Sequence, residues 1–405
     1  MMKGKILIAL SLMLFLHSLV LAQGGSWVPK ASLPDTARFS AAAFSIGSKG
    51  YLSTGGQIMC QIKFNDLWEW DQEANIWSQK ANLPGGKRFG ATGFAIGTKG
   101  YIIFGADGDV FRDLWEWDQA TNTWARKTDF PGTQRQNAVG FSIGEKAYVG
   151  TGFLYYGNDP YFHDFWQWDQ ASDTWTQMAD FGGGNRNLAI GFAIGNKGYI
   201  GTGADSLTLF NDLWEWDEVT NIWTQKSSLP GVVRAAAVGF NLSNYGLVGS
   251  GSGYTSRLRD FWLYDPVSDS WESRTDMAAP RTNAAGFAIG KKGYVATGYG
   301  DGWLHDLWEF DSQLTGMNDL APANKNSIFP NPTSTTINLH LPSTHTTITI
   351  FNLLGEKVRE EKVSLPAGQA GGGEITMDVS ELPAGLYFVR TEEAMVGKFV
   401  KLACR

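Results

Sequence analysis

Apolar and polar residues alternate along the chain in short stretches that return about every fifty residues. Each period holds a stretch of small and apolar residues such as 41–46, a glycine turn, a second apolar stretch containing tyrosine, and the phrase Asp-Leu-Trp-Glu-Trp-Asp. A Trp-x-x-Lys stretch that ends at Leu-Pro completes the period. Alternation with a period of two, bounded by Gly, Pro and Asn, indicates β-strands. The pattern therefore predicts four short antiparallel strands in each period.

The period is marked most clearly by tryptophan. The phrase at 65–71 returns at 112–118, 163–169, 211–217, 259–265 and 305–311. A second tryptophan follows each of the first five copies, and one more lies upstream of them all: Trp77, Trp124, Trp175, Trp223, Trp271 and Trp27. Self-similarity at a fixed period indicates a repeat architecture. Because a four-stranded antiparallel sheet repeated radially is a propeller blade, the sequence predicts an all-β propeller.

The ends of the repeat region predict how the ring closes. The sixth copy stops after Asp311 without its Trp strand, whereas residues 27–34 form such a strand without a preceding copy. Pairing the two completes one blade and leaves no bare strand edge. We therefore predict a six-bladed propeller over residues 23–315 that is closed by an N-terminal strand. Blade 5 departs from the pattern, because Asn244-Tyr245-Gly246 replaces Lys-Gly-Tyr.

These repeats resemble the Kelch family, whose members include galactose oxidase-like propellers. The resemblance rests on the period, the glycine turn before tyrosine, the Thr-Gly end of the second strand and the run Asp-x-Trp-x-x-Asp…Trp. The glycine pair typical of the family is intact only at Gly55-Gly56. WD repeats are disfavoured, because they have a shorter period and begin with Gly-His. The resemblance implies a six-bladed β-propeller.

Charge and the N-terminus narrow the class of protein. The chain has 405 residues and a net charge of −7, which disfavours a nucleic-acid partner. Residues 1–22 have the pattern of a secretory signal peptide, with Lys3 and Lys5 before an apolar run. A membrane anchor is the alternative, but the run is short, and we expect no transmembrane segment in the mature chain. Whether Cys60 and Cys404 are free stays open, because two cysteines define no disulfide framework.

Tryptophan disappears after the sixth copy, and the composition changes. Residues 316–327 are a polar linker, and 328–405 hold alternating stretches with Gly and Pro turns that predict a small β-sandwich. The segments 329–333, 352–358 and 380–390 resemble the C-terminal sorting domain of the bacterial type IX secretion system. The resemblance implies that the secretion machinery is a partner and that the protein is secreted or held on the exterior of the outer membrane. An adhesive immunoglobulin-like domain is the alternative.

One arginine precedes the first strand of every period. The six are Arg38, Arg88, Arg135, Arg186, Arg234 and Arg281. In one interpretation they fix turns or pair with the repeated aspartate of Asp-Leu-Trp. In the other they form a ring around the axial opening that attracts an anionic ligand. The structural interpretation is favoured, because binding sites lie mostly in loops that differ from one another.

Residues that occur in a single loop are the better candidates for function. Sixteen of the 17 tryptophans occupy repeat positions, where large rings pack between blades, and Trp303 alone lies outside the pattern. The ligand-binding candidates lie in loops of blades 3, 5 and 6: Tyr155, Tyr156, Tyr161, Tyr254, Arg257, Tyr299, Asp301 and Trp303. Aromatic rings beside carboxylates and cations suit sugars or peptides.

We therefore predict a carbohydrate- or protein-binding module, or an adhesion module, at the bacterial cell surface. The alternative is an extracellular carbohydrate-active enzyme of the epimerase or lyase type, whose carboxylates would come from separate loops. No residue is assigned a catalytic role. Five histidines in the whole chain are too few and too scattered to favour the copper chemistry of galactose oxidase-like enzymes. We expect no metal and no cofactor.

Overall fold

The computed structural model describes residues 24–57, 61–155, 160–312, 335–341, 345–352, 356–364, 373–390 and 395–401. The chain divides into two compact units, residues 1–314 and 315–405. Every regular element in these ranges is a β-strand, and they contain no helix that is long and apolar enough to cross a membrane. The predicted signal peptide, the predicted linker, Tyr156, Cys60 and Cys404 lie outside the described residues.

The first unit is a six-bladed propeller in which every blade is a four-stranded antiparallel sheet. The first strands, which surround the axis, are Ala42–Ile46, Thr92–Ile96, Val139–Ile143, Ile190–Ile194, Val238–Leu242 and Ala285–Ile289. The second strands are Lys49–Ser53, Lys99–Ile103, Lys146–Gly150, Lys197–Gly201, Tyr245–Gly249 and Lys292–Tyr299. The third strands are Leu67–Asp71, Leu114–Asp118, Phe165–Asp169, Leu213–Asp217, Phe261–Asp265 and Trp303–Asp311. The fourth strands are Ile76–Lys80, Thr123–Lys127, Thr174–Gln177, Ile222–Lys226, Ser270–Arg274 and, for blade 6, Ser26–Lys30. Two short hairpins extend the loops of blades 1 and 2: Gly56–Gln57 with Ile62–Lys63, and Ala106–Asp107 with Asp109–Val110.

The N-terminal strand closes the ring, and this prediction is confirmed. Ser26–Lys30 pairs antiparallel with the third strand of blade 6, with Ser26 opposite Asp311 and Lys30 opposite Leu307. The last blade is therefore built from both ends of the propeller sequence. Unfolding it requires the separation of strands that are distant in sequence, which makes the closure a strongly non-local contact.

The first strands approach one another closely because the second residue of each is glycine or alanine. Burial alternates along each of them, so that one face of the strand packs into the blade and the other faces the axis. A Cβ atom added at Gly140 would lie 2.4 Å from Cγ2 of Thr92 in the preceding blade. Any larger residue at this position would push neighbouring blades apart.

A closed ring of main-chain hydrogen bonds surrounds one end of the axis. Six N–H groups donate to a carbonyl oxygen of the preceding blade at N···O distances of 2.8 to 3.4 Å, from Ser40, Gly90, Asn137, Leu188, Ala236 and Asn283. All six residues have left-handed backbone conformations, with φ between 49 and 66°. Alanine and leucine rarely adopt this conformation. The ring bonds therefore hold the chain in a conformation that its local sequence disfavours.

The repeated tryptophans join the blades to one another, as predicted. Each fourth strand carries one whose indole N–H donates to a carbonyl oxygen of the preceding blade, as Trp77 does to Ala31 at 2.7 Å. Each third strand carries another, whose indole N–H donates to the aspartate two residues earlier, as Trp68 does to Asp66. Four more are fully buried: Trp70, Trp117, Trp168 and Trp216.

The departure at blade 5 leaves its second strand intact. In four other blades a buried tyrosine hydroxyl is bonded to a side chain of the next blade, as Tyr51 is to Gln119 at 2.6 Å. Blade 5 has Leu247 at this position, fully buried, and the next blade has Ser312 where the glutamine would stand. Because leucine has no polar group to satisfy, the loss of the glutamine leaves no buried group without a partner.

The second unit is a small β-sandwich. One sheet pairs Thr336–Leu341 with Gly373–Asp378, and the other orders Lys357–Ser364, His345–Asn352, Gly385–Arg390 and Met395–Lys401. Apolar side chains from both sheets form one buried core: Ile337, Leu339, Ile348, Ile350, Met377, Val379, Tyr387 and Val389. Alternating stretches with Gly and Pro turns thus produce the two-layer packing that the sequence predicts.

Candidate functional site

The six repeated arginines lie inside the blades. Each guanidinium makes two parallel hydrogen bonds to the aspartate that opens the Asp-x-Trp run of its own blade, with closest N···O distances of 2.5 to 2.8 Å. Each also donates to the carbonyl oxygen at the end of the second strand, as Arg88 does to Phe104. All six side chains are at most 2 % exposed. A ring of arginines at the axial opening has no support in this geometry, because all six guanidinium groups are buried and bonded to the aspartate and the main chain of their own blade.

The residues that line the axial opening are small or neutral. The opening is a depression of about 110 Å³ bordered by the ring of left-handed residues and by one alanine after each of them. Ser40, Asn137 and Asn283 are its polar side chains. A second cavity, of about 250 Å³, lies further along the first strands and is lined by one phenylalanine from each of them and by uncharged neighbours such as Ser45 and Asn241.

Loop residues of blades 5 and 6 meet two phenylalanines on the face of the axial opening. Trp303 stacks on Phe39 with ring centroids 5.1 Å apart and planes 27° apart, and Tyr299 lies 4.7 Å from Trp303. The guanidinium carbon of Arg257 lies 4.7 Å from the centre of the Tyr299 ring. Phe89 lies 6.2 Å from Phe39 on the other side. We call these five residues the Trp303 cluster.

The strands of blade 6 explain how Trp303 reaches this face. Its second and third strands, Lys292–Tyr299 and Trp303–Asp311, are longer than the five-residue strands of the other blades, and Tyr299 pairs with Trp303 at their end. The register shifts between Ala296 and Gly298, which bends the hairpin. The closed ring then places this hairpin beside blade 1, where Phe39 precedes the first strand.

Trp303 differs from every other tryptophan in its hydrogen bonding. The other sixteen indole N–H groups all donate to a partner in the protein. Trp303 is only half-buried, and its N–H has no acceptor within the described residues. A ring that packs on neighbours and keeps its polar group unused is suited to contact a ligand.

The other sequence candidates that the structure describes do not join this cluster. Tyr155 is 70 % exposed and packs edge-on against Phe153, which also contacts Tyr161 at 5.1 Å. Tyr254 is exposed, and its hydroxyl accepts the N–H of Leu209 at 2.9 Å in the neighbouring blade 4 loop. Asp301 lies exposed in the turn between Tyr299 and Trp303. Of the eight candidates, the structure brings together Arg257, Tyr299 and Trp303.

One set of residues around the opening was missed by the sequence analysis. The residue after each repeated arginine directly precedes a member of the hydrogen-bonded ring, and these six positions hold Phe39, Phe89, Gln136, Asn187, Ala235 and Thr282. Blades 1 and 2 thus contribute rings, blades 3 and 4 amides, and blades 5 and 6 small residues. The sequence does contain a sign of these positions. The residue after each arginine varies although the residues around it repeat, and a varying position in a repeat is one that the fold does not fix.

Within the propeller, the blades hold several buried groups with shifted pKa values. Burial, and then a hydrogen bond to a neighbouring carboxylate, raises the pKa of six tyrosines: Tyr51, Tyr101, Tyr148, Tyr199, Tyr264 and Tyr294. Burial acts to raise the pKa of Asp260 and Asp306, but the bonds and charges of Arg234 and Arg281 outweigh it, so that both values are lowered. No group of metal-ligating side chains is found in the part of the chain that the structure describes.

Comparisons with known proteins agree with both units. Residues 327–402 match the family described as the secretion system C-terminal sorting domain. The solved "Structure of YjhT" aligns with a TM-score of 0.60 at 16% identity, covering 69% of this chain and 95% of that one. At this identity the likeness shows the propeller fold alone. No curated protein matches the chain. The matched tail indicates export by the type IX pathway to the cell surface or the extracellular space.

Proposed function

We propose that this protein is an exported binding module and that the Trp303 cluster is the seat for its ligand. The observation that carries the proposal is the half-buried Trp303 ring, which is stacked on Phe39 and whose N–H is unused. The C–H faces of a pyranose pack on aromatic rings, and an indole N–H beside them donates to a hydroxyl. A carbohydrate therefore fits the cluster better than a protein surface, which would need a wider apolar area.

Catalysis is less well supported by the same geometry. Active sites are places where burial and neighbouring charges shift the pKa values of acids and bases. Here the tyrosines and aspartates with raised or lowered pKa values are bonded to other side chains of the propeller. In and beside the cluster the ionisable side chains are Arg257, Tyr299 and Asp301, and the residues that the structure describes hold no paired acid and base there. An epimerase or lyase needs such a pair within reach of the sugar ring. Binding without turnover is therefore the function that we favour.

The test is a glycan array probed with the full mature chain, followed by product analysis of every bound glycan. We expect saturable binding to a restricted set of glycans, each recovered unchanged by mass spectrometry. Chemical conversion of a bound glycan would establish the enzyme instead. Failure of every glycan to bind, together with binding on a parallel peptide array, would show that the ligand is a protein.

A further inference from the structure

Two amide side chains beside the axial opening make no hydrogen bond to any residue that the structure describes. Gln136 and Asn187, here called the amide pair, hold in blades 3 and 4 the position that Phe39 and Phe89 hold in blades 1 and 2. Gln136 is only 6 % exposed. The side-chain oxygens of both residues are buried and have no hydrogen-bond partner among the described residues.

The main chain at the amide pair is fully used by the fold. The N–H and carbonyl of Gln136 exchange two hydrogen bonds of 2.9 Å with Phe153, and those of Asn187 exchange two of 2.8 Å with Ala204. The backbone is therefore fixed, while the amides contribute nothing to the network around them. Burying a polar atom without a partner destabilises a protein, and such a group in a native fold calls for an explanation, such as a bound water or a ligand.

Gln136, one member of the amide pair, borders the Trp303 cluster. A Cβ atom built on Gly90 would lie 3.3 Å from Cβ of Gln136, so that Gln136 rests against the blade 2 member of the hydrogen-bonded ring. Gly90 directly follows Phe89, which belongs to the cluster. Going around the opening, the aromatic residues of blades 1 and 2 are thus followed by the amide residues of blades 3 and 4.

We propose that Gln136 and Asn187 form the polar half of the ligand seat and bind hydroxyl groups of a neutral sugar whose apolar face rests on the Trp303 cluster. This inference rests on the proposed function. An amide offers both a donor and an acceptor, and neither amide is held by a bond that prevents its terminal group from turning. A hydroxyl also donates and accepts, so the two groups are complementary. None of the six positions in this set is charged, and the guanidinium of Arg257 in the Trp303 cluster lies over the Tyr299 ring, so that the amide pair itself offers hydrogen bonds and no net charge.

The experiment measures affinity and stability together on the full mature chain. The probes are four neutral oligosaccharides, cellohexaose, xylohexaose, mannohexaose and laminarihexaose, titrated by calorimetry. For whichever of them binds, Gln136→Met and Asn187→Leu are each expected to weaken binding at least fivefold. Both variants should unfold at the temperature of the wild type or above it, because each removes a buried polar group that lacks a partner. A residue that merely supports the fold would show the opposite effect on stability.

Asn241 provides the matched control. This amide lies at the other end of the axis, and its Nδ2 donates to the carbonyl oxygen of Ala193 at 2.8 Å. Asn241→Leu should lower the unfolding temperature and leave affinity unchanged.

Trp303→Ala separates the two proposals. Loss of binding in Trp303→Ala with full affinity in both amide variants would overturn the inference alone. Full affinity in Trp303→Ala, or no binding of any probe by the wild type, would overturn the proposed seat and the inference with it. An unfolding temperature of Gln136→Met below that of Asn241→Leu would also overturn the inference.

Discussion

The N–H of Ser40 donates to the carbonyl oxygen of Asn283 at 2.9 Å, and this bond closes the ring of six around the axial opening. Ser40 belongs to the first blade and Asn283 to the last. Their side chains are bonded as well, with Oγ of Ser40 3.1 Å from Oδ1 of Asn283. The closure of the propeller thus has two layers, the paired strands of blade 6 at the periphery and this bond at the axis.

The strained backbone of this ring makes a testable prediction at Ala236. Its φ of 54° is unfavourable for alanine, whereas glycine adopts this φ without steric cost. Gly90 already occupies the equivalent position in blade 2. We expect Ala236→Gly to change the free energy of unfolding by between zero and about +1 kcal/mol. The neighbouring Ala237→Gly, at a position outside the left-handed region, should destabilise by about 0.5–1 kcal/mol. Urea unfolding measures both, and equal destabilisation by the two variants would contradict the assignment of strain.

The buried ion pairs predict a large effect at Asp113. This carboxylate holds the fully buried guanidinium of Arg88 through two bonds. Asp113→Ala leaves that charge unpaired, and we expect a loss of about 3–5 kcal/mol in unfolding free energy. The exposed pair Arg126–Asp129 in the same blade is the control, since Asp129→Ala should cost less than about 1 kcal/mol. Similar losses for the two variants, measured by urea unfolding, would show that burial does not govern the pairs.

The lowered pKa values of Asp260 and Asp306 predict a loss of stability in acid. A carboxyl group whose pKa is lower in the folded chain than the usual value of about 3.9 stabilises the fold fully above that value. This stabilisation is lost as the pH falls through the lower folded-state pKa. We expect the unfolding free energy to be nearly flat from about pH 5 to 7 and to fall below about pH 4. Asp306→Asn should show a shallower fall, and an identical acid slope in this variant would be inconsistent with the role of the pair.

The sorting domain predicts the fate of a shortened chain. Removing residues 328–405 deletes nearly all of the matched segment 327–402 and leaves the propeller unit intact. In a bacterium with a type IX pathway we expect the shortened chain to accumulate in the periplasm, while the full chain reaches the surface or the medium. Fractionation with immunoblotting measures the distribution. Equal export of both chains would mean that the tail is dispensable for secretion.

Most of the fold could be predicted from the sequence because of its repeats. The residues that meet at the candidate site could not. Sixteen tryptophans recur at fixed spacing because each blade needs the same contacts, so periodicity alone predicts the blades and the closing strand. The contact between Trp303 and Phe39 depends on ring closure, which brings residues from opposite ends of the propeller together. Phe39 was also not predicted as a site residue, because the repeated residue at this place in the sequence is its neighbour, Arg38.

The repeated arginines, in contrast, have a structural role, as their repetition in every blade indicated. A residue present in all six blades serves a contact present in all six, here the pair with aspartate. The residue after each arginine makes no such repeated contact, and its type differs from blade to blade. Gln136 and Asn187 escaped notice because an amide in a single sequence carries no sign of whether it is bonded. Only the three-dimensional arrangement shows that the side-chain oxygens of both lack a partner among the described residues.

The central claim is that Trp303 contacts the ligand, and the most direct measurement is calorimetric titration of a glycan that binds the wild type into three variants. We expect Trp303→Ala to lose at least tenfold in affinity, about 1.4 kcal/mol, and to remain folded, with the loss of its contacts to Phe39 and Tyr299 lowering the unfolding temperature. Trp303→Phe, which keeps a ring but lacks the N–H, should fall between it and the wild type. Leu207→Ala, which alters an 87 % exposed side chain in the blade 4 loop outside the cluster, should bind like the wild type. Wild-type affinity in Trp303→Ala would contradict the account.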